Sequence, residues 1–472
     1  MKMMLIDIFV IGLALIFIRF WWRYWSVTGG GPKNLPPGPP GLPLVGNLIQ
    51  VILQRRHFIF IIRELRKKYG PIFTMQMGQR TMVIVTDSKL IHEALVQRGP
   101  DFASRPPDSP IRLLFSVGKC AINSAEYGPL WRTLRKNFVT ELITPTRVKQ
   151  CSWIRKWAIE NHMKRIKREA FENGFLEVMS NCRLTLPDFL PVLTPLFRRQ
   201  MKEAKALRKK QLECLVPLIK NRRAFVEKGE NPNQEMVSPI GAAYVDSLFG
   251  LEPPTRGPLG DEEYVTLCSE AISAGTDTSA TTVEWAMLHL VMNQEIQEQL
   301  YQEIIDCVGK DGEIKEEDVE KMPYLEAIVK ETFRRHPPGH FLLSHAATKD
   351  TELAGYTIPA GVYVEIYTAW ITEDPDIWSD PSEFRPERFL HGDGVGVDVT
   401  GTRAVKMLPF GAGRRICPAW NLGILHINLL IAKMVQAFKW LPVPDAPPDP
   451  AETYAFTVVM KNPLRAVILP RV

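Results

Sequence analysis

The sequence predicts a mainly α-helical fold with a minor β portion, carried behind an N-terminal transmembrane helix. Three observations predict it. Beyond Gln50 most of the chain has helical periodicity and no internal repeat. Strand-like runs are few and short, at Phe73 to Val85 and around the turn signal Gly355-Tyr-Thr-Ile-Pro-Ala-Gly361. The first residues form an apolar run long enough to cross a bilayer.

That run extends from Met3 to Ile18, apolar apart from Asp7, and counting through to Trp22 it reaches the roughly 20 residues of a membrane span. A cleaved signal peptide would need small residues at its end. Here the run meets Phe20, Trp21, Trp22, Arg23, Tyr24 and Trp25, an aromatic belt with basic anchors. Arg19 and Arg23 against Lys2 alone place the following body in the cytosol. Residues 1–23 therefore read as an anchor and 24–50 as a linker. In the linker Gly29, Gly30 and Gly31 precede Leu35-Pro-Pro-Gly-Pro-Pro-Gly-Leu-Pro-Leu44, whose prolines forbid helix and favour a stiff extended spacer.

The remaining chain, 51–472, supplies one large core or two packed subdomains, with 45% hydrophobic and 23% charged residues over the 472. The stretch Asp261 to Asn293 is nearly continuous in apolar and small residues, so it reads as a long helix buried on most sides. Glu270, Asp277 and Glu284 exclude it as a second span. A net charge of +6 is too dilute for nucleic-acid binding and suits an anionic membrane surface or an acidic protein partner. The seven cysteines are scattered singly and no CxxC pair occurs, which argues against a disulfide framework or a cysteine zinc site. A zinc reading of His336 and His340 fails because Pro337 and Pro338 break the helix that would align them.

Only Cys417 has neighbours that suggest chemistry. The Gly-rich loop Phe410-Gly-Ala-Gly-Arg-Arg-Ile-Cys417-Pro-Ala-Trp420 places it beside Arg414 and Arg415, which predicts a low thiol pKa and a cysteine poised as ligand or nucleophile. No general base stands nearby for a nucleophile, and Ile416 occupies the third glycine position of a dinucleotide fingerprint. The pattern Phe410, Gly413, Arg415, Cys417 resembles the haem-binding loop of cytochromes P-450. The resemblance implies the fold of that family, a b-type haem, and Cys417 as its axial iron ligand, the thiolate pushing electron density through iron to favour O–O cleavage. Ala419 stands where the family usually has glycine.

Three further segments match the family in its order. Ala274-Gly-Thr-Asp277-Thr278 resembles the oxygen-activating segment, which implies that Asp277 and Thr278 relay protons. By their residues alone Thr278 would bond back to its own helix and Asp277 would be paired in the core. Glu331 and Arg334, on one helix face, with Arg388 of Pro386-Glu-Arg-Phe389, resemble the family's structural lock. Trp131, Arg135, His345 and Arg415 occupy positions that hold haem propionates.

The same resemblance implies electron supply by an NADPH-cytochrome P-450 reductase docking near Arg132, Lys136 and Arg414. It also implies residence in the endoplasmic reticulum membrane with the catalytic domain facing the cytosol. Leu114, Phe115, Ala274, Phe341, Leu342, Phe456 and Val458 would line an apolar pocket suited to a lipid-like substrate. The wording of Glu284-Trp-Ala-Met287 and of the cysteine loop resembles plant members that hydroxylate or epoxidise fatty acids. A haem-thiolate isomerase or dehydratase of lipid hydroperoxides would share the loop but needs no proton relay. The chain between Trp131 and the oxygen-activating segment is shorter than the family's, near Ser180 to Pro187, which leaves a non-catalytic variant as the third reading.

Overall fold

The computed structural model describes residues 34–42, 45–173, 176–177, 198–228, 243–254, 256–454 and 457–471. The anchor 1–23, Phe456 and the short region 180–187 lie outside the described residues. Among the described residues no helix is long and apolar enough to cross a membrane.

The body begins with Leu48–Leu53 (α1) and Phe58–Tyr69 (α2), followed by the strands Ile72–Met77 (β1) and Arg80–Val85 (β2). β1 and β2 form an antiparallel hairpin turned at Gly78, whose φ of +62° a side chain would strain. The prolines before it are not a free spacer. Thr74 N–H donates to Pro37 O, and the Asn47 side-chain amide donates to Pro39 O and Pro40 O while its Oδ1 accepts from Gln76 N–H. An extended Pro-rich segment cannot pair within itself, so it satisfies its carbonyls against the sheet.

The sheet is completed by strands from late in the chain. His345–Ala346 (β3) and Tyr363–Ile366 (β6) stand on either side of a small hairpin, Thr351–Leu353 (β4) and Tyr356–Ile358 (β5). The order is β1-β2-β6-β3, with β2 and β6 parallel and the other pairs antiparallel.

The helical part is built around Asp261–Met292. In chain order the longer helices are Pro110–Ser116 (α3), Pro129–Phe138 (α4), Ser152–Asn173 (α5), Arg198–Glu227 (α6), Asp261–Met292 (α7), Gln294–Val308 (α8), Pro323–Arg335 (α9) and Trp420–Ala437 (α10). α7 starts where Glu263 caps the Gly260 N–H at 2.9 Å, with Asp261 and Glu262 adding charge that favours the positive helix end. α9 starts at Pro323, and Glu303 of α8 accepts from Tyr324 N–H and Leu325 N–H. Trp285, Leu288, Leu325, Ile328 and Ile431 from α7, α9 and α10 make the main core; burying each of these large side chains is worth about 2–3 kcal/mol.

α7 departs from its expected burial. Tyr264 to Leu267 and most of Thr281 to Val291 are buried, but Ile272 to Asp277 are exposed, Ile272 by 63%. A Cβ on Gly275 would meet no protein atom within 4 Å. Small and apolar residues gave the same sequence signal for a packed turn and for a cleft wall.

The C-terminal strands Phe438–Pro442 (β7) and Arg465–Pro470 (β10) pair with each other, as do Glu452–Tyr454 (β8) and Val458–Met460 (β9).

Candidate active site

The cysteine loop is shaped by glycine at one position that admits nothing else. Gly413 has φ +67°, and a Cβ there would lie 1.8 Å from Leu95 O. The turn closes with Cys417 N–H donating to Phe410 O at 2.8 Å. Phe410 packs edge-on against Phe333 of α9, with ring centroids 5.1 Å apart. The loop thus rests on the core and holds Cys417 immediately before α10.

The expected low thiol pKa is not what the environment produces. Burial pushes the Cys417 thiol up, and the Ala419 N–H and Arg135 pull it down less strongly. Arg414 is exposed, and Arg415 is turned toward backbone carbonyls, so neither supplies the favourable charge that their sequence adjacency suggested. The effective cation comes from α4: Arg135 donates to Ile416 O at 2.6 Å. A metal ion at the sulfur would itself favour the thiolate.

Around this loop the structure gathers the predicted anion-binding residues. Arg415 donates to Ala103 O, Ile122 O and Ala125 O at 2.7, 3.0 and 2.6 Å. Its guanidinium also lies 4.5 Å from the centroid of the Trp131 ring. His345, 4% exposed, donates from Nδ1 to Phe102 O, and burial together with Arg105 pushes it down to about 3, so it is neutral.

Arg105 itself was not legible as a site residue. No periodicity or motif marks it, but it is buried, donates to Asn123 O, Leu343 O and Ser344 O, and is pushed down to about 10 by burial and Arg112. Burial and its neighbours Arg105 and Arg135 push Arg415 down to about 8. Such mutual repulsion of cations calls for an anion. Two buried donors nearby in the chain, Trp131 Nε1 and Ser124 Oγ, have no hydrogen-bond partner among the described residues. A cationic cluster with unsatisfied donors fits the two carboxylates of a haem, so the residues present suit that group.

A single peptide connects this cluster to α7. Ile122 O accepts from Arg415, while Ile122 N–H and Asn123 N–H donate to the Glu270 carboxylate at 2.9 and 2.6 Å. Four residues on, Ala274 stands within the exposed turns. Thr278 Oγ donates back to Ala274 O at 2.8 Å, and Asp277 is exposed and not paired in the core.

The expected pocket residues divide. Ala274 is exposed, and Leu114, Phe115 and Leu342 are half-buried; Leu342 lies close to Gly411 of the cysteine loop. Phe341 belongs elsewhere: its ring packs on Tyr367 at 4.9 Å and Phe58 at 6.0 Å, in the core beneath the sheet. The bridge of Phe341 with Tyr367 sets its ring toward that core, a choice that apolar character alone does not reveal. Val458 is buried, its N–H donating to Pro338 O and its carbonyl accepting from Trp285 Nε1.

Glu331, Arg334 and Arg388 meet with no side-chain exposure. Arg334 binds both Glu331 oxygens at 2.7 and 2.8 Å, and Arg388 Nε donates to the second at 3.1 Å. The remaining guanidinium hydrogens reach Thr372 O, Pro381 O, Glu383 O, Ser379 O and Asp380 O. Every charge is paired and the connecting loops are tied to α9.

Comparison with known proteins agrees in sequence and fold. The family profile "Cytochrome P450" matches residues 36–179 and 159–469. Cytochrome P450 89A9 of Arabidopsis thaliana is 36% identical, across 93% of this chain and 94% of its own length. Costunolide synthase of Cichorium intybus is 31% identical, across 89% of each. A zebra fish cytochrome P450 solved with abiraterone superposes with a TM-score of 0.69 at 23% identity, across 88% of this chain and 99% of its own.

Proposed function

This chain belongs to the cytochrome P450 family of haem-iron monooxygenases, and we propose that Cys417 is its iron-ligating thiolate and that it oxidises a fatty acid. The product would be an in-chain alcohol or an epoxide. The observation that carries the reading is the closed Cys417 loop facing a cluster of Arg105, Arg135 and Arg415 with Trp131 Nε1 and Ser124 Oγ unsatisfied. Bound there, haem supplies the dioxygen chemistry. Trp131, Arg135, His345 and Arg415 orient it through its propionates. Thr278 and Asp277, on the exposed turns of α7, hold and pass protons at the Thr278 Oγ and the Asp277 carboxyl.

Relatives named for costunolide and dihydroniloticin synthesis stand at 31% and 29% identity, so family membership defines the reaction and leaves the substrate to the pocket. Apolar Leu114, Phe115, Ala274 and Leu342 favour a long hydrocarbon chain. Electrons come from NADPH through a reductase whose acidic face meets Arg132, Lys136 and Arg414. Residues 1–23 anchor the enzyme in the endoplasmic reticulum membrane, with the body in the cytosol.

The test is the reduced, carbon-monoxide-bound spectrum of the full chain in membranes, beside Cys417→Ala. A red-shifted Soret band that the substitution abolishes is the expected result, followed by NADPH- and reductase-dependent fatty-acid oxidation. A folded protein without that band is not a haem-thiolate enzyme. Turnover of lipid hydroperoxides without reductase would make it an isomerase or dehydratase instead.

A further inference from the structure

A buried polar line joins the last turns of α7 to the β8–β9 hairpin. His289 Nε2 lies 3.0 Å from His336 Nε2, and His336 Nδ1 lies 2.8 Å from Glu452 Oε1. The second Glu452 oxygen is 3.6 Å from His340 Nε2. Both rings of the line are buried and clamped face-on. His289 stacks on Phe384 and His336 on Trp285, each with centroids 3.8 Å apart and planes within 7° and 2°.

One tautomer arrangement satisfies the line. A carboxylate only accepts, so His336 carries its hydrogen on Nδ1 and presents a lone pair at Nε2, which accepts from the Nε2–H of His289. A proton added to His336 would go to Nε2 and oppose two N–H groups across 3.0 Å. Burial and the guanidinium groups of Arg334 and Arg335 hold both rings neutral. The line is therefore directional and can be made in one way.

Its far end is the hairpin whose other strand carries Val458. Glu452 pairs with Met460, and Tyr454 with Val458. Two further bonds from α7 hold the same region: Trp285 Nε1 donates to Val458 O at 2.9 Å, and Glu284 accepts from Leu464 N–H at 3.2 Å. Glu284 and Trp285 fix β9 and the chain after it directly. β8 is reached from α7 through His289 and His336.

We propose that His289 is a specificity-positioning residue, which through His336 and Glu452 sets where β8 and β9 stand against α7 and so the depth of the substrate pocket. The inference rests on the haem-enzyme reading and on Val458 lying in the pocket wall. His289 does not touch substrate; it acts through the hairpin. A line of this kind matters to long substrates that reach the wall and is indifferent to ligands that stop at the iron.

The experiment uses purified holoenzyme and N-alkylimidazoles, from imidazole to the dodecyl compound, read by the Soret shift on nitrogen ligation. His289→Leu is expected to bind imidazole as the parent does and to lose about fivefold or more in affinity for the long-tailed members. His289→Gln, whose Nε2 hydrogen can again donate to His336, is expected to restore that affinity to within about twofold. Should His289→Leu not accumulate as holoenzyme, Glu452→Leu breaks the line at its other end and is expected to show the same dependence on tail length. Parallel affinities of parent and variant along the series overturn the proposal, as does an equal loss for imidazole, which would mean a general loosening. No Soret shift of the parent with imidazole would remove the haem-enzyme reading, and the proposal with it.

Discussion

The guanidinium of Arg415 lies over the indole of Trp131, 4.5 Å from its centroid, with three of its hydrogens given to backbone carbonyls. The contact joins the cysteine loop to α4. Arg415 gives three of its guanidinium hydrogens to the polypeptide and keeps two, while Trp131 Nε1 has no hydrogen-bond partner among the described residues.

Trp131→Phe is therefore expected to leave apoprotein stability within about 0.5 kcal/mol while speeding haem loss to a scavenging apomyoglobin by about tenfold. Arg415→Met is expected to lower stability by about 3 kcal/mol or more, because Ala103 O, Ile122 O and Ala125 O lose their donor. Urea unfolding of the apoproteins and haem-transfer kinetics check both.

Gly413→Ala should abolish the folded cysteine loop, since the added carbon meets Leu95 O at 1.8 Å on top of the strain of φ +67°. Gly396→Ala, with φ +69° and nothing within 4 Å, is the control and should cost only about 1 kcal/mol. The yield of carbon-monoxide-binding haem per milligram distinguishes them.

Glu331→Leu leaves Arg334 and Arg388 buried beside one another without their shared carboxylate. A loss of about 3–5 kcal/mol is expected. Because the site is closed to solvent, added salt should not recover it. Chemical denaturation at two ionic strengths measures both statements.

Burial pushes Glu284 up to about 7 from an ordinary 4.5, against the help of the Leu464 N–H. The unfolded chain ionises this group first, so the parent loses stability as pH rises from 4.5 to about 7 and no more above it. Glu284→Gln keeps an acceptor for Leu464 and does not titrate. It is expected to be more stable at pH 8 by up to about 3 kcal/mol, the difference vanishing toward pH 4.5, in thermal melts across that range.

Thr278→Ala removes a hydroxyl that, among the described residues, bonds only within its own helix, to Ala274 O. Stability should change by less than about 0.5 kcal/mol. Product formed per NADPH consumed should fall about tenfold, with hydrogen peroxide rising to match, and Thr278→Ser should recover most of the yield. Unchanged coupling in Thr278→Ala would remove this residue from the proton path.

Much of the candidate site was proposed from sequence because its segments are local. Phe410 to Cys417 spans eight consecutive residues in which glycine, arginine and cysteine carry their meaning by adjacency, and the fold class followed from helical periodicity interrupted by few strand signals. Glu331 and Arg334 were readable as one face because three residues nearly complete a turn. Arg105 was not legible, since an arginine between serine and proline has no pattern until Asn123, Leu343 and Ser344 are folded around it. The packing of Phe341 was not legible for the same reason: its neighbours Phe58 and Tyr367 come from distant parts of the chain.

By itself the sequence determined the helical class, the order of the motifs and the one cysteine set in a Gly-rich, Arg-bearing loop, all of which depend on residue type and spacing along the chain. Only the tertiary structure decided which cation reaches Cys417 and which apolar rings face the core. Those are questions of direction and burial. Electrostatic free energy depends on what water has been excluded from and which charges meet across the fold, and adjacency in sequence specifies neither.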